Sequence, residues 1–140
     1  MGNVVITDKQ GTILGVEDYF TAIEKELTRF IVRIFIFNTK GQLFLQKRSM
    51  KVHAYPGCWD SSAAGHVDPG EDALTAAKRE VVEELGIKDL ILLPKLHFYN
   101  EKQCRDKLFR TYDAIFFAQY EGSFILAEAE VSDGKWFDLE

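Results

Sequence analysis

Glu80, Glu83 and Glu84 stand at i, i+3 and i+4 within Asp72 to Leu85, a run whose apolar residues recur with helical period. That spacing gathers three carboxylates on one helix face. Carboxylates this close repel by roughly a few tenths of a kcal/mol per pair, and they occupy the last turns, where the helix dipole favours Lys or Arg. Local helix energetics does not account for them. A solvated acidic face is the plain reading of an isolated E-x-x-E-E. The chemical reading is a divalent cation: clustered hard oxygen ligands suit Mg²⁺, and a carboxylate or a metal-bound water can then supply a nucleophile.

Those glutamates need a helix held in place. Asp72 is the expected N-cap, with Asp68 and Glu71 as a competing capping box. Leu74, Ala77, Val81 and Leu85 form an apolar stripe, so the helix is expected to dock by that stripe and expose the glutamates. Around it the chain reads mostly as strands. Residues 4–7 and 12–16 form a hairpin, 17–26 a short helix, 29–37 and 42–46 a second hairpin, 49–57 a loop, and 59–67 one strand of small residues. Three further strands fall at 90–99, 108–120 and 135–139, the last after the acidic stretch Glu128 to Asp133.

A chain of 140 residues with 46% hydrophobic content can bury one core, so a single domain over 1–140 is expected. A net charge of −5 argues against duplex nucleic acid or an anionic membrane as partner. Cys58 and Cys104 offer no metal or disulfide spacing, and no stretch is apolar enough for a membrane span or a leader, which together predict a cytoplasmic protein.

The segment from Gly65 to Ile87, GHVDPGEDALTAAKREVVEELGI, fills every fixed position of the pattern G-x₅-E-x₇-R-E-U-x-E-E-x-G-U, where U is a bulky aliphatic residue. It resembles the Nudix box of the Nudix hydrolases. The resemblance implies an α/β (α+β) fold, a mixed β-sheet sandwiched with helices and carrying a catalytic loop-helix-loop. It implies Mg²⁺ or Mn²⁺ held by Glu80, Glu83, Glu84 and the backbone carbonyl of Ala64, with one glutamate or a metal-bound water activating the nucleophile. Gly65, Glu71, Arg79 and Gly86 are assigned structural parts, the Arg79–Glu71 pair bracing loop against helix. Many members place a further glutamate before the last strand, and Glu130 is the candidate here, as ligand or base.

The flanks FNTKGQLFLQKRS and YPGCWDSSAAGHV are similar to the Nudix subgroup that contains isopentenyl diphosphate isomerase. That isomerase depends on a Cys where this chain has Ala64, and its upstream histidines have no match in EKELTRF, which favours hydrolysis. His66 matches an isomerase metal ligand. Lys47, Arg48, Tyr55 and Trp59 are candidate substrate contacts; by the period-two rule Lys47 and Arg48 face opposite ways, so one of them can enter the site. The expected function is metal-dependent hydrolysis of a diphosphate linkage in a nucleoside diphosphate linked to another moiety, with an isomerase-like enzyme or a non-catalytic nucleotide-binding module as alternatives. The long helix that usually ends such domains is absent or truncated, so the open sheet face is expected to be covered by the 17–26 segment or by a second copy in a homodimer.

Overall fold

The computed structural model describes residues 2–139; Met1 and Glu140, the ends of the expected domain, lie outside them. In chain order the elements are β1 (Asn3–Thr7), β2 (Ile13–Asp18), α1 (Tyr19–Glu24), β3 (Thr28–Phe37), β4 (Leu43–Arg48), β5 (Trp59–Asp60), β6 (Ala63–His66), α2 (Ala73–Leu85), β7 (Leu93–Cys104), β8 (Lys107–Gln119) and β9 (Val131–Phe137). The strands make one mixed sheet, an α+β architecture as expected.

Strand β3 is its axis. The β-branched and aromatic run TRFIVRIFIF pairs in parallel with β8 along its whole length, from Thr28↔Arg110 to Phe37↔Gln119. Its other edge meets β1, β6 and β4 in turn, all antiparallel. Alternate β3 residues Val32, Ile34 and Ile36 pack with Ala114 and Phe116 of β8 against α2, forming the larger core. A smaller core lies under α1, where Val4, Ile6, Tyr19, Ala22, Ile23 and Phe109 meet. On the face opposite α2, α1 covers one end, and Phe35, Phe37 and Phe117 pack edge to face, half-buried, farther along. No helix among the described residues is long and apolar enough to cross a membrane.

Helix α2 starts and stops where its sequence says. Asp72 caps it, accepting from the Thr75 amide at 2.8 Å, and Gly86 ends it at φ 70°, a left-handed conformation that favours glycine. Of the expected docking stripe Ala77, Val81 and Leu85 are buried, but Leu74 is 39% exposed, and Ala76, Glu80 and Glu84 are buried beside them. The cause is the partner surface: α2 packs on β6, whose Ala63 and Gly65 are small enough for close approach, and this turns two carboxylates inward instead of exposing them.

Three strand boundaries also differ. Residues 59–67 are two short strands, interrupted where the buried Ser62 hydroxyl accepts from the Ile36 amide at 2.8 Å and donates to the Phe44 carbonyl. The strand expected at 90–99 runs on as β7 to Cys104 and turns tightly into β8, with Arg105 at φ 58°. Strand β9 begins at Val131, opposite Arg48, which shortens the acidic loop before it.

Candidate functional site

Two backbone contacts assemble the acidic end of α2. The last carbonyls of a helix lack intrahelical partners; here the Ile125 amide donates to Leu85 at 2.9 Å and the Ala127 amide to Glu84 at 3.1 Å. The segment before β9 is thereby pinned to the helix end, and Glu130 arrives beside Glu84. Carboxylate oxygens of Glu80, Glu84 and Glu130 lie within 4.8 Å of one another.

Glu84 is held from the sheet side: its Oε1 accepts from the Ala64 amide at 3.0 Å and from Gln46 Nε2 at 2.9 Å. The Val67 amide bonds the Phe30 carbonyl, so in the β3–β6 register Ala64 falls at a position that makes no ladder bonds, and both its amide and its carbonyl turn away from β3. The Glu80 carboxyl lies over Gly65, where an added Cβ would collide with it. Burial raises Glu80 to about 7 despite the opposing Arg79, and the charges of Glu83 and Glu130 add to the rise. Burial likewise pushes Glu84 well above the usual carboxylate range, helped by Glu80 and Glu130 and opposed by the Ala64 amide and Gln46. Two buried carboxylates and a third beside them are an oxygen donor set short of positive charge, which fits a hard divalent cation.

Glu83 stands apart from this trio. Its side chain is 49% exposed and turns to Arg79 Nη1 at 3.2 Å. Arg79 is surrounded: it takes Glu71 with Nε and Nη2 at 2.8 and 2.9 Å, Glu80 at 2.6 Å, Asp68 at 3.4 Å and the His66 carbonyl at 3.0 Å. Glu71 completes the loop by accepting from the Asp68 amide at 2.8 Å, and the Arg79 hydrogen bonds hold its carboxyl below the usual range.

A cavity of about 950 Å³ opens beside the trio, floored by β3, β4 and β8 and roofed in part by α1 and the 49–57 loop. On its floor Arg33 bonds Asp60 at 2.8 Å and Asp113 at 3.0 Å, and Arg48 reaches Asp60 at 3.2 Å and the Ala54 carbonyl at 2.8 Å. Of the four candidate substrate contacts, Arg48, Tyr55 and Trp59 line the cavity, Tyr55 with a buried hydroxyl that has no partner among the described residues. Lys47 does not line it. Trp59 also pairs with Lys47 and its ring packs on Phe137, 5.2 Å away, under the Lys135 ammonium. His66 faces Arg29, with Nε2 and Nη1 2.8 Å apart; burial first, then neighbouring arginines, push its pKa down to about 3, so the ring is neutral.

Sequence reasoning missed Arg29, Arg33, Gln46, Asp60 and Asp113. A signal existed for three of them. Arg29 and Arg33 are spaced evenly in an apolar strand and so share its cavity face with Ile31, while Gln46 alternates with the buried Phe44. Asp60 and Asp113 carried none, because their role depends on pairings between strands distant in sequence.

Similarity to known proteins agrees with this geometry. The NUDIX domain family model matches residues 27–140, and the chain belongs to that family. The expected enzyme class, a Nudix pyrophosphohydrolase, agrees with the match and with its relatives. The chain is 34% identical over 107 residues to an uncharacterized Nudix hydrolase of Pseudomonas aeruginosa, covering 76% of this chain and 61% of that one. It is 29% identical over 136 residues to isopentenyl-diphosphate Delta-isomerase 1 of Aromatoleum aromaticum, covering 97% and 77%. The crystal structure of the Deinococcus radiodurans protein DR0079 superposes with a TM-score of 0.79 at 22% identity, covering 96% of this chain and 82% of that one, a likeness of fold.

Proposed function

We propose that this protein hydrolyses a diphosphate linkage in a nucleoside diphosphate joined to another moiety, or in a related small pyrophosphate, with Mg²⁺ or Mn²⁺ at Glu80, Glu84 and Glu130. The observation that carries this reading is the convergence of three carboxylates, two of them buried, of which among the described residues Glu80 alone meets a cation, Arg79. The Ala64 carbonyl completes the donor set, and Glu83 is a further ligand once its carboxylate leaves Arg79. When bound, the cation polarises the phosphoryl oxygens and makes a bound water more acidic.

The chain's own groups do the rest. Arg48, on the cavity floor, grips the diphosphate, and Tyr55 contacts the attached moiety. Water attacks phosphorus, the anhydride P–O bond breaks, and the bridging oxygen leaves as part of a phosphate monoester or phosphate. The water proton passes to a carboxylate of the trio; Glu130 is best placed because it is exposed and can release that proton to solvent. Gln46 and the Ala64 amide keep Glu84 aimed at the site throughout. Lys47 and Trp59 serve the β4–β5–β9 edge in this reading. A cytoplasmic setting, without membrane or duplex nucleic acid as partner, belongs to it too.

The test is turnover and product identity across nucleoside polyphosphates, sugar nucleotides, dinucleotide cofactors and isoprenoid diphosphates in Mg²⁺ and in Mn²⁺. Release of phosphate or a monophosphate, abolished in Glu83→Gln/Glu84→Gln, is the expected result; full activity of that double variant would contradict it. The similarity to an isomerase gives the test a second named outcome, an isomeric diphosphate without phosphate release. Ala64, where the isomerases carry a catalytic Cys, speaks against that outcome. Tight nucleotide binding without turnover would point to a binding module.

A further inference from the structure

We propose that Arg29 is an anion-binding site inside the cavity, separate from the acidic trio, that receives a phosphate or carboxylate group. Arg29 is 4% exposed and lines the cavity. Its guanidinium carbon stands over two rings, 5.1 Å from the centre of Phe109 and 5.5 Å from that of Tyr19. Aromatic rings thus take much of its surface, which leaves its N–H groups as the part that can meet a ligand. There the structure gives it one partner, Nε2 of His66 at 2.8 Å, and leaves the buried Nε with none. An imidazole nitrogen that accepts from a guanidinium bears no proton, so this contact supplies no negative charge.

The other arginines of the region differ. Arg33, Arg48 and Arg79 each bond at least one carboxylate, whereas no carboxylate among the described residues is in salt-bridge contact with Arg29. A buried arginine cannot shed its charge as a lysine or carboxylic acid can, because its proton affinity is too high. Its charge therefore calls for an oxyanion, and a planar N–H fork packed on aromatic rings fits a two-oxygen ligand in the plane of the fork. Lys51 and Lys102 also line the cavity and favour entry of an anion.

The competing occupant is Asp113. Its Oδ2 bonds Arg33 but its buried Oδ1 has no partner, and a rotation of Arg29 could pair them. That would make Arg29 a structural residue. The packing of Arg29 on Tyr19 and Phe109, with Asp113 already held by Arg33, favours the external anion. Resting on the hydrolase reading, the consequence is a substrate class: a diphosphate whose far end carries a second acidic group, a terminal phosphate or a carboxylate, in preference to a neutral tail.

The experiment is calorimetric titration of the full chain, stripped of divalent metal, with inorganic phosphate and separately with acetate, for wild type, Arg29→Met and Arg29→Lys. The expected result is saturable binding of at least one anion by wild type, weakened by about tenfold or more in both variants, since a charge-assisted bidentate contact is lost. The anion that binds identifies the acidic group. Arg29→Met is also expected to melt higher than wild type in anion-free buffer, because an uncompensated buried charge is removed. Should Arg29→Met not fold, Arg29→Lys, which keeps the charge and loses the fork, decides the matter. Absence of binding by wild type, equal binding by the variants, or a destabilised Arg29→Met together with non-binding wild type would overturn the proposal, the last in favour of the Asp113 pair. Neither metal nor turnover enters this measurement, so its failure leaves the hydrolase reading standing, and an inactive enzyme with a working anion site would refute only that reading.

Discussion

The two ends of the loop-helix-loop handle charge in opposite ways. Around Arg79 the carboxylates have a cation of their own: one guanidinium meets Glu71, Asp68, Glu80 and Glu83, and its contact with Glu71 is bidentate. At the other end Glu84 and Glu130 have no salt-bridge partner among the described residues; an amide and a glutamine side chain receive Glu84, and Glu80, which bonds Arg79, joins the two clusters. Carboxylates gathered on a cation of the chain serve as a brace. Buried carboxylates gathered without one persist in spite of their cost, which is why the grouping at Glu84 and Glu130 points to a ligand.

This contrast is breakable by mutation, and the largest expected effect is on chemistry. Glu84→Gln keeps the size and one acceptor of the side chain but removes its charge. It should lower turnover by about a hundredfold to a thousandfold while metal-free stability, read by urea unfolding, stays level or rises. Arg79→Met should do the reverse. It strands four carboxylates, and because the guanidinium is 24% exposed the loss of unfolding free energy is discounted to about 2 kcal/mol, measurable in the same titration.

A third test uses pH. Glu80 has a folded pKa of about 7 against an ordinary 4.5, so the folded protein binds more protons than the unfolded one between those values, and stability falls as pH rises. Its contribution is present in full below pH 4.5 and is lost as pH passes through about 7. Metal-free wild type should therefore lose on the order of 3 kcal/mol across that window relative to Glu80→Gln. Excess Mg²⁺ should reverse the trend, since binding requires the deprotonated carboxylates; a metal-free stability that rises over the window would break the comparison. The smallest effect belongs to Gly86→Ala. A left-handed φ and a Cβ 2.9 Å from that of Ile125 predict a loss of about 1 kcal/mol, seen as a lower melting temperature with turnover retained by the folded fraction.

Much of this was legible beforehand because it is local. The cap at Asp72, the stop at Gly86, the Arg79–Glu71 brace and the long β3 run follow from residue types at short spacing. The docking face of α2 was legible only in part: Ala77, Val81 and Leu85 are buried as their spacing says, Leu74 is not. The helical period marks an apolar stripe, but the close approach allowed by Ala63 and Gly65 rotated the contact line from Leu74 toward Ala76 and buried Glu80 and Glu84. The acidic residue nearest Glu84 from outside the helix, Glu130, could be picked out only by resemblance, because the backbone bonds that deliver it join residues about 40 positions apart in sequence. Arg29 was hidden for a related reason: nothing in a strand's sequence tells whether a charged residue on its inner face will find a partner.

The most direct test of the central claim is a Mn²⁺ soak of crystals grown near pH 8, read by anomalous scattering. The account predicts a peak coordinated by carboxylate oxygens of Glu80, Glu84 and Glu130 at about 2.0 to 2.3 Å, with the Ala64 carbonyl in or next to its shell. An empty site under saturating Mn²⁺, with those carboxylates dispersed toward solvent, would contradict it.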